Sequence, residues 1–157
     1  MMQLMQRLQQ TKPWKIMVLP RLLAGVPLVV FSAMHFMYPQ HFRDILSASG
    51  VPMVDVSVWA ASSAEMLGGI LLLTGFFARV GGLLGIVTMA PAIVVTIQLA
   101  RVPNPPFVPP LPVPIVVVLA AAVVLLLGGG AWSADAHRQG ANSPAGPRAF
   151  HVPGPTK

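Results

Sequence analysis

Residues 54–99 read VDVSVWAASSAEMLGGILLLTGFFARVGGLLGIVTMAPAIVVTIQL, and only Asp55, Glu65 and Arg79 put charge into them. As one helix this stretch would run about 69 Å at 1.5 Å per residue, more than twice the roughly 30 Å hydrocarbon core of a bilayer. It must therefore turn back. Gly75, Arg79 and the Gly81–Gly82 pair mark the place, as helix-weakening residues around a charge. The reading gives two spans, Val54–Phe77 and Val80–Leu99, separated by Ala78 and Arg79.

Two further stretches are long and apolar enough to cross, Ile16–Tyr38 and Pro114–Trp132. The expected fold is an all-α membrane protein, a bundle of four transmembrane helices. Composition agrees: 55% of the 157 residues are hydrophobic and 9% charged, too few charges to cover a water-soluble surface. Residues 101–114, RVPNPPFVPPLPVP, hold seven prolines. Their missing amide hydrogens and fixed φ exclude a helix and predict a stiff, extended connector, with recognition as a lesser role.

Residues 16–137 are read as the membrane domain, after a cytoplasmic segment 1–15 whose MMQLMQRLQQ suits the membrane surface. The first span is read as an uncleaved helix, because it is long, carries Arg21 and lacks a clear cleavage site. Residues 138–157, rich in Gly, Pro, Ser and Asn, are expected to be a disordered cytoplasmic tail.

Four spans put Arg7, Lys12, Lys15, Arg21, Arg79, Arg138, Arg148 and Lys157 on one face, with only Arg43 and Arg101 on the other. This bias predicts that both termini are cytoplasmic. Trp14 and Trp132 would then lie at the inner interface, Tyr38 and Trp59 towards the outer one. The basic residues form no stripe or aromatic-interleaved patch, which argues against a nucleic-acid partner. The chain has no cysteine, so it has no thiolate metal site or thiol relay of its own. His41, His137 and His151 have no ligand spacing, and no metal site is expected. Phosphate-loop, dinucleotide and nucleophile-elbow motifs are missing.

Glu65 lies near the midpoint of its span. A charge there costs roughly 2.5–3.5 kcal/mol on insertion scales, so Glu65 should face other helices and either have a hydrogen-bond partner or take up a proton. Ser62 and Gly69 share its face, and Gly68 and Gly69 allow a neighbouring helix to come close. In the first span Arg21, Gly25, Leu28, Ser32 and His35 form a matching stripe. An Arg21–Glu65 pair is the favoured contact, since a guanidinium suits a carboxylate; His35 could reach Glu65 through Ser32 or water instead. Bland alternatives are a snorkelling Arg21, an interfacial His35 and a structural Glu65 hydrogen bond. Gln98, near a kink at Pro91, is a weaker cavity candidate.

Residues 63–79, SAEMLGGILLLTGFFAR, place a glutamate before a Gly-Gly pair, a leucine run, a glycine and an arginine. With Arg21-Leu22-Leu23-Ala24-Gly25 and Gly130-Ala131-Trp132-Ser133-Ala134-Asp135, this resembles the DoxX family of small four-helix bacterial membrane proteins, over roughly residues 16–137. The chain departs from the pattern at Ser32, where glycine is usual, and at His35, where lysine is usual. The resemblance implies a bacterial inner-membrane protein linked to quinone-coupled redox systems, with quinone as the cofactor it suggests. Expected partners are the lipid bilayer, a redox protein or further copies of the chain. A non-catalytic scaffold and, less favoured, a proton-coupled transporter are the alternatives.

Overall fold

The computed structural model describes residues 14–141. The membrane-surface reading of the N-terminal segment lies outside them, apart from Trp14 and Lys15, and so does most of the disordered-tail reading. A single 3₁₀ turn, Lys15–Met17, leads into α1 (Val18–Met37). There follow α2 (Pro39–Ala48), α3 (Val54–Thr74), α4 (Ala78–Leu99), α5 (Pro112–Leu127) and α6 (Ala134–Ala141). The described residues contain no strand, and the protein is an all-α membrane bundle. Helix α1 packs on α3 and α5, and α4 closes the square by packing on the same two.

α1 with its leading turn, α3 and α4 are each long and apolar enough to cross a membrane; α5 is apolar but has only 16 residues. The fourth span was expected to reach Trp132. Helix α5 stops at Leu127 because Gly128 and Gly130 take positive φ, 84° and 85°, and turn the chain. Trp132 is 65% exposed in the connection to α6. That last helix includes residues 138–141, which the sequence reading had assigned to the tail.

The turn between α3 and α4 is also displaced from its expected place at Ala78–Arg79. It occupies Gly75–Phe77, where Gly75 and Phe77 adopt φ of 67° and 46°, and Arg79 lies in the first turn of α4. Gly81 and Gly82 are interior to α4 and serve packing. A Cβ on Gly81 would lie 3.0 Å from the Gly68 carbonyl oxygen, and one on Gly82 2.7 Å from that of Ala121. The glycine pair is where α4 meets α3 on one side and α5 on the other.

Helix α2 had no counterpart in the sequence reading. It is ten residues long, too short to cross, and begins with Pro39 in its first turn. Phe42, Ile45 and Leu46 are its buried face, packed with Val58 of α3 and Leu99 of α4. The proline-rich segment carries no helix from Val102 to Pro110, as expected. Pro112 and Pro114, read as part of the connector, instead open α5, where the first-turn amides they lack have no helical partner. The Phe107 carbonyl accepts a hydrogen bond from His41 Nε2 at 2.9 Å. α2 and the proline loop therefore cover one end of the bundle together. Large apolar side chains such as Leu67, Leu83, Leu119 and Leu126 remain exposed, the pattern of a bundle solvated by lipid.

Candidate functional site

Glu65 and His35 meet in the half of the bundle covered by α2. His35 Nδ1 lies 3.1 Å from Glu65 Oε2, and the carboxyl group is buried, with 3% of the residue exposed. The imidazole is held on its face as well: it stacks on the Phe42 ring of α2, with centroids 3.7 Å apart and planes 5° from parallel. His35 Nε2 has no hydrogen-bond partner among the described residues. One turn earlier on α1, Ser32 Oγ donates to the Ser62 carbonyl at 2.9 Å, while Ser62 Oγ is buried without a partner. Close approach makes these contacts reachable. A Cβ on Gly69 would lie 3.1 Å from the Gly25 carbonyl oxygen, and one on Gly25 3.0 Å from the Leu73 side chain. Gly68 sits equally close to α4, with Leu84 Cβ 3.0 Å from where its own Cβ would be.

The favoured Arg21–Glu65 pair is not formed. Antiparallel packing with Gly25 against Gly69 sets Arg21 beside Leu72, seven residues or about 10 Å along α3 from Glu65. Arg21 is 5% exposed and donates to four carbonyl oxygens: Leu72 at 2.8 Å, Leu73 at 2.7 Å, Trp132 at 2.7 Å and Gly129 at 3.3 Å. Two of these belong to the C-terminal turn of α3, whose carbonyls lack helical partners. The snorkelling reading of Arg21 fails with the pairing, because its guanidinium is enclosed by protein. His35 contacts Glu65 directly, neither through Ser32 nor as a bystander.

The pair borders a cavity of about 490 Å³, well within the range of small-molecule sites. Ser57, Ala60, Ala61 and Ala64 on α3 leave room on one side; Thr88, Pro91 and Thr96 line α4. Its roof comes from Phe42 and Ile45 of α2 and from Pro109 of the proline loop. Gln98 does not line it. His35 also borders a second cavity of about 330 Å³, with Tyr38 and His41 on its walls. Among the described residues no group of three or more His, Cys, Asp or Glu could hold a metal ion.

The glutamate before Gly-Gly, the arginine on α1 and the apolar helices that carry them now have one frame. The DoxX family model matches residues 16–98. The chain belongs to the DoxX family. No curated protein and no solved structure matches it. The matched span contains Arg21, His35 and Glu65, and ends at the last turn of α4.

Beyond that span this DoxX protein carries a second buried carboxyl group, Asp135, 1% exposed at the start of α6. Its two oxygens accept from the Phe77 and Ala78 amides at 2.9 and 3.0 Å, which caps α4 across the chain. Ser133 caps α6 itself, accepting from Ala136 N at 3.1 Å, and a serine three residues ahead of a helical amide was legible as such a cap. The role of Asp135 was not legible, since its partners lie 57 and 58 residues away.

Burial raises the Asp135 carboxyl above its ordinary 3.8, while the two amides, Arg138 and Arg21 oppose the shift. A carboxyl that holds its proton more tightly when folded stabilises the fold most in acid. That contribution falls as pH rises through the unfolded and then the folded pKa. Asp135→Asn is therefore expected to lower stability by about 1 kcal/mol through the lost cap and to flatten the pH dependence above about pH 4. Thermal melts from acid to neutral pH check both; a wild-type slope in the variant would refute the assignment.

Proposed function

We propose that this DoxX protein is a membrane subunit or partner of a quinone-linked redox system, in which the His35–Glu65 pair binds the head group and handles its protons. The observation that carries this reading is a half-buried imidazole hydrogen-bonded to a buried carboxyl group on the wall of a largely apolar cavity open to ring-sized ligands. The fit is chemical as well as spatial. Three alanines of α3 and Pro91 of α4 offer flat apolar walls, and His35 offers a free ring nitrogen beside them. A bound quinone supplies reversible chemistry of two electrons and two protons, the electrons being exchanged with a partner redox protein.

The chain's part is protonic. With Nδ1–H directed at the Glu65 carboxylate, His35 Nε2 accepts a proton and the carboxylate stabilises the resulting imidazolium. Phe42 keeps the ring in that orientation. Protons exchange with water through the neighbouring cavity bordered by Tyr38 and His41. The bias of basic residues supports a bacterial inner-membrane protein with cytoplasmic termini, which puts α2 and the proline loop on the outer side.

Glu65→Gln keeps a hydrogen-bonding group of the same size and removes the charge. It is expected to weaken binding of a short-chain quinone to the detergent-purified protein by about tenfold or more, since a charge-assisted hydrogen bond is lost, while the elution profile stays that of the wild type. Unchanged affinity would reject the site. Unchanged affinity together with a soluble protein stably retained by both forms would favour the scaffold reading.

A further inference from the structure

The hydrogen-bonding character of the cavity is lopsided. Its polar side chains are those of His35, Ser57, Glu65, Thr88 and Thr96. All three hydroxyl groups donate their one hydrogen to the chain's own carbonyls: Thr88 to Leu84 at 3.0 Å and to Gly85 at 3.3 Å, Thr96 to Ala92 at 2.8 Å, Ser57 to Pro52 at 3.2 Å. Their oxygens can still accept, but they have nothing left to donate. Pro91 sharpens the asymmetry. It lies inside α4 and has no amide hydrogen, so the carbonyl of Val87, a lining residue one turn earlier, lacks its helical donor.

The α4 wall therefore offers acceptors. His35 and its partner Glu65 are the lining side chains whose sense can change: with Nδ1–H on the Glu65 carboxylate the His35 Nε2 accepts, and with one proton more it donates. A ligand carrying two hydroxyl groups on a flat ring meets acceptors at both ends. A ring with two carbonyls in the same places can be satisfied at His35 alone, and its far oxygen would face oxygens.

We infer that the cavity recognises the reduced, hydroxyl-bearing form of a ring ligand, a hydroquinone or phenol, in preference to the oxidised quinone. The inference rests on the quinone-site reading and assigns Thr88 and Pro91 as specificity-determining residues of that site. Thr88 acts through its hydroxyl oxygen, Pro91 through the Val87 carbonyl that it deprives of a helical amide donor.

The test is direct binding to the full-length, detergent-purified protein under anaerobic conditions. The probes are a short-chain alkyl benzohydroquinone, the matching benzoquinone and the hydroquinone's dimethyl ether. The hydroquinone is expected to bind about tenfold tighter than the other two, the scale of an acceptor left unpaired. Thr88→Val, nearly isosteric, and Pro91→Ala, which supplies the missing amide hydrogen, should each narrow that ratio. Elution as a single wild-type-like species shows that each variant is folded. Quinone binding as tight as hydroquinone, or a ratio unmoved in both variants, overturns the inference and leaves the quinone site standing. Binding of none of the three probes removes the quinone site, and this inference with it.

Discussion

Replacing Arg21 by methionine is expected to destabilise the bundle by about 3 kcal/mol or more. The guanidinium donates to carbonyls of Leu72, Leu73, Gly129 and Trp132, and so ties the end of α3 to the segment that follows α5. Methionine fills much of the same volume but donates nothing. Each carbonyl left buried without a donor costs about 1–3 kcal/mol, and the sum is reduced because the site can relax. For a chain of this size the loss corresponds to a fall of roughly 6–12 °C in melting temperature.

Arg21→Lys should lie between, since an ammonium keeps the charge at the C-terminal end of α3 but cannot reach four oxygens with a planar fork. The contrasting case is Arg43. Its Nε lies 2.7 Å from Asp55 Oδ1, yet the Asp55 side chain is 78% exposed, and Arg43→Met should cost less than about 1 kcal/mol. Melting curves of the three variants in one detergent decide the matter. Similar losses for Arg21→Met and Arg43→Met would mean that the four carbonyl contacts hold nothing together.

The second large effect is expected at Gly69, where α1 and α3 are closest. A Cβ there would lie 2.6 Å from Val29 Cγ2, 3.0 Å from the Val29 nitrogen and 3.1 Å from the Gly25 carbonyl oxygen. The valine side chain can turn away, but the two backbone atoms can move only with the helix. Gly69→Ala is expected to cost about 1–3 kcal/mol through overpacking, and Gly69→Leu more than the bundle can absorb. The displacement also reaches the site. Ser32–Ser62 and His35–Glu65 span the same interface, so Gly69→Ala should weaken quinone binding with both polar side chains intact. Leu67→Ala, on the same helix but 52% exposed to lipid, is the control. If Gly69→Ala melts and binds like that control, the glycine contact does not set the site.

Much of this could be read from residue types. A carboxylate in the middle of an apolar span needs a protein partner, and Gly68, Gly69 and Gly25 announced close helix contacts before any geometry was known. The choice of partner went to His35, against the expectation for Arg21. Helical stripes give the face of each residue but not the offset between two helices. Arg21 and His35 lie on one face of α1 about 21 Å apart, and only the packed register decides which of them meets Glu65. Phe42 and Thr88 were passed over for related reasons. Helix α2 is too short to register as a span, and a threonine bonded to its own helix looks the same in sequence whether it faces lipid or a cavity.

The turn and the fourth span show the limit from another side. Gly81 and Gly82 looked like turn residues because glycine weakens a helix, yet they are where α4 touches α3 and α5. A glycine's lack of a side chain serves a bend or a close approach equally well, and its neighbours in sequence do not say which.

By itself the sequence determined that this protein is a bundle of membrane helices with a buried acidic group at its middle, because hydrophobic length and the cost of charge in lipid are properties of each segment alone. Tertiary structure decided what that acid touches, where the cavity opens and which hydrogen-bonding groups face it. Those depend on the offset between helices far apart in the chain, set here by glycine contacts and by the carbonyls gathered around Arg21, and no single segment's pattern contains that offset.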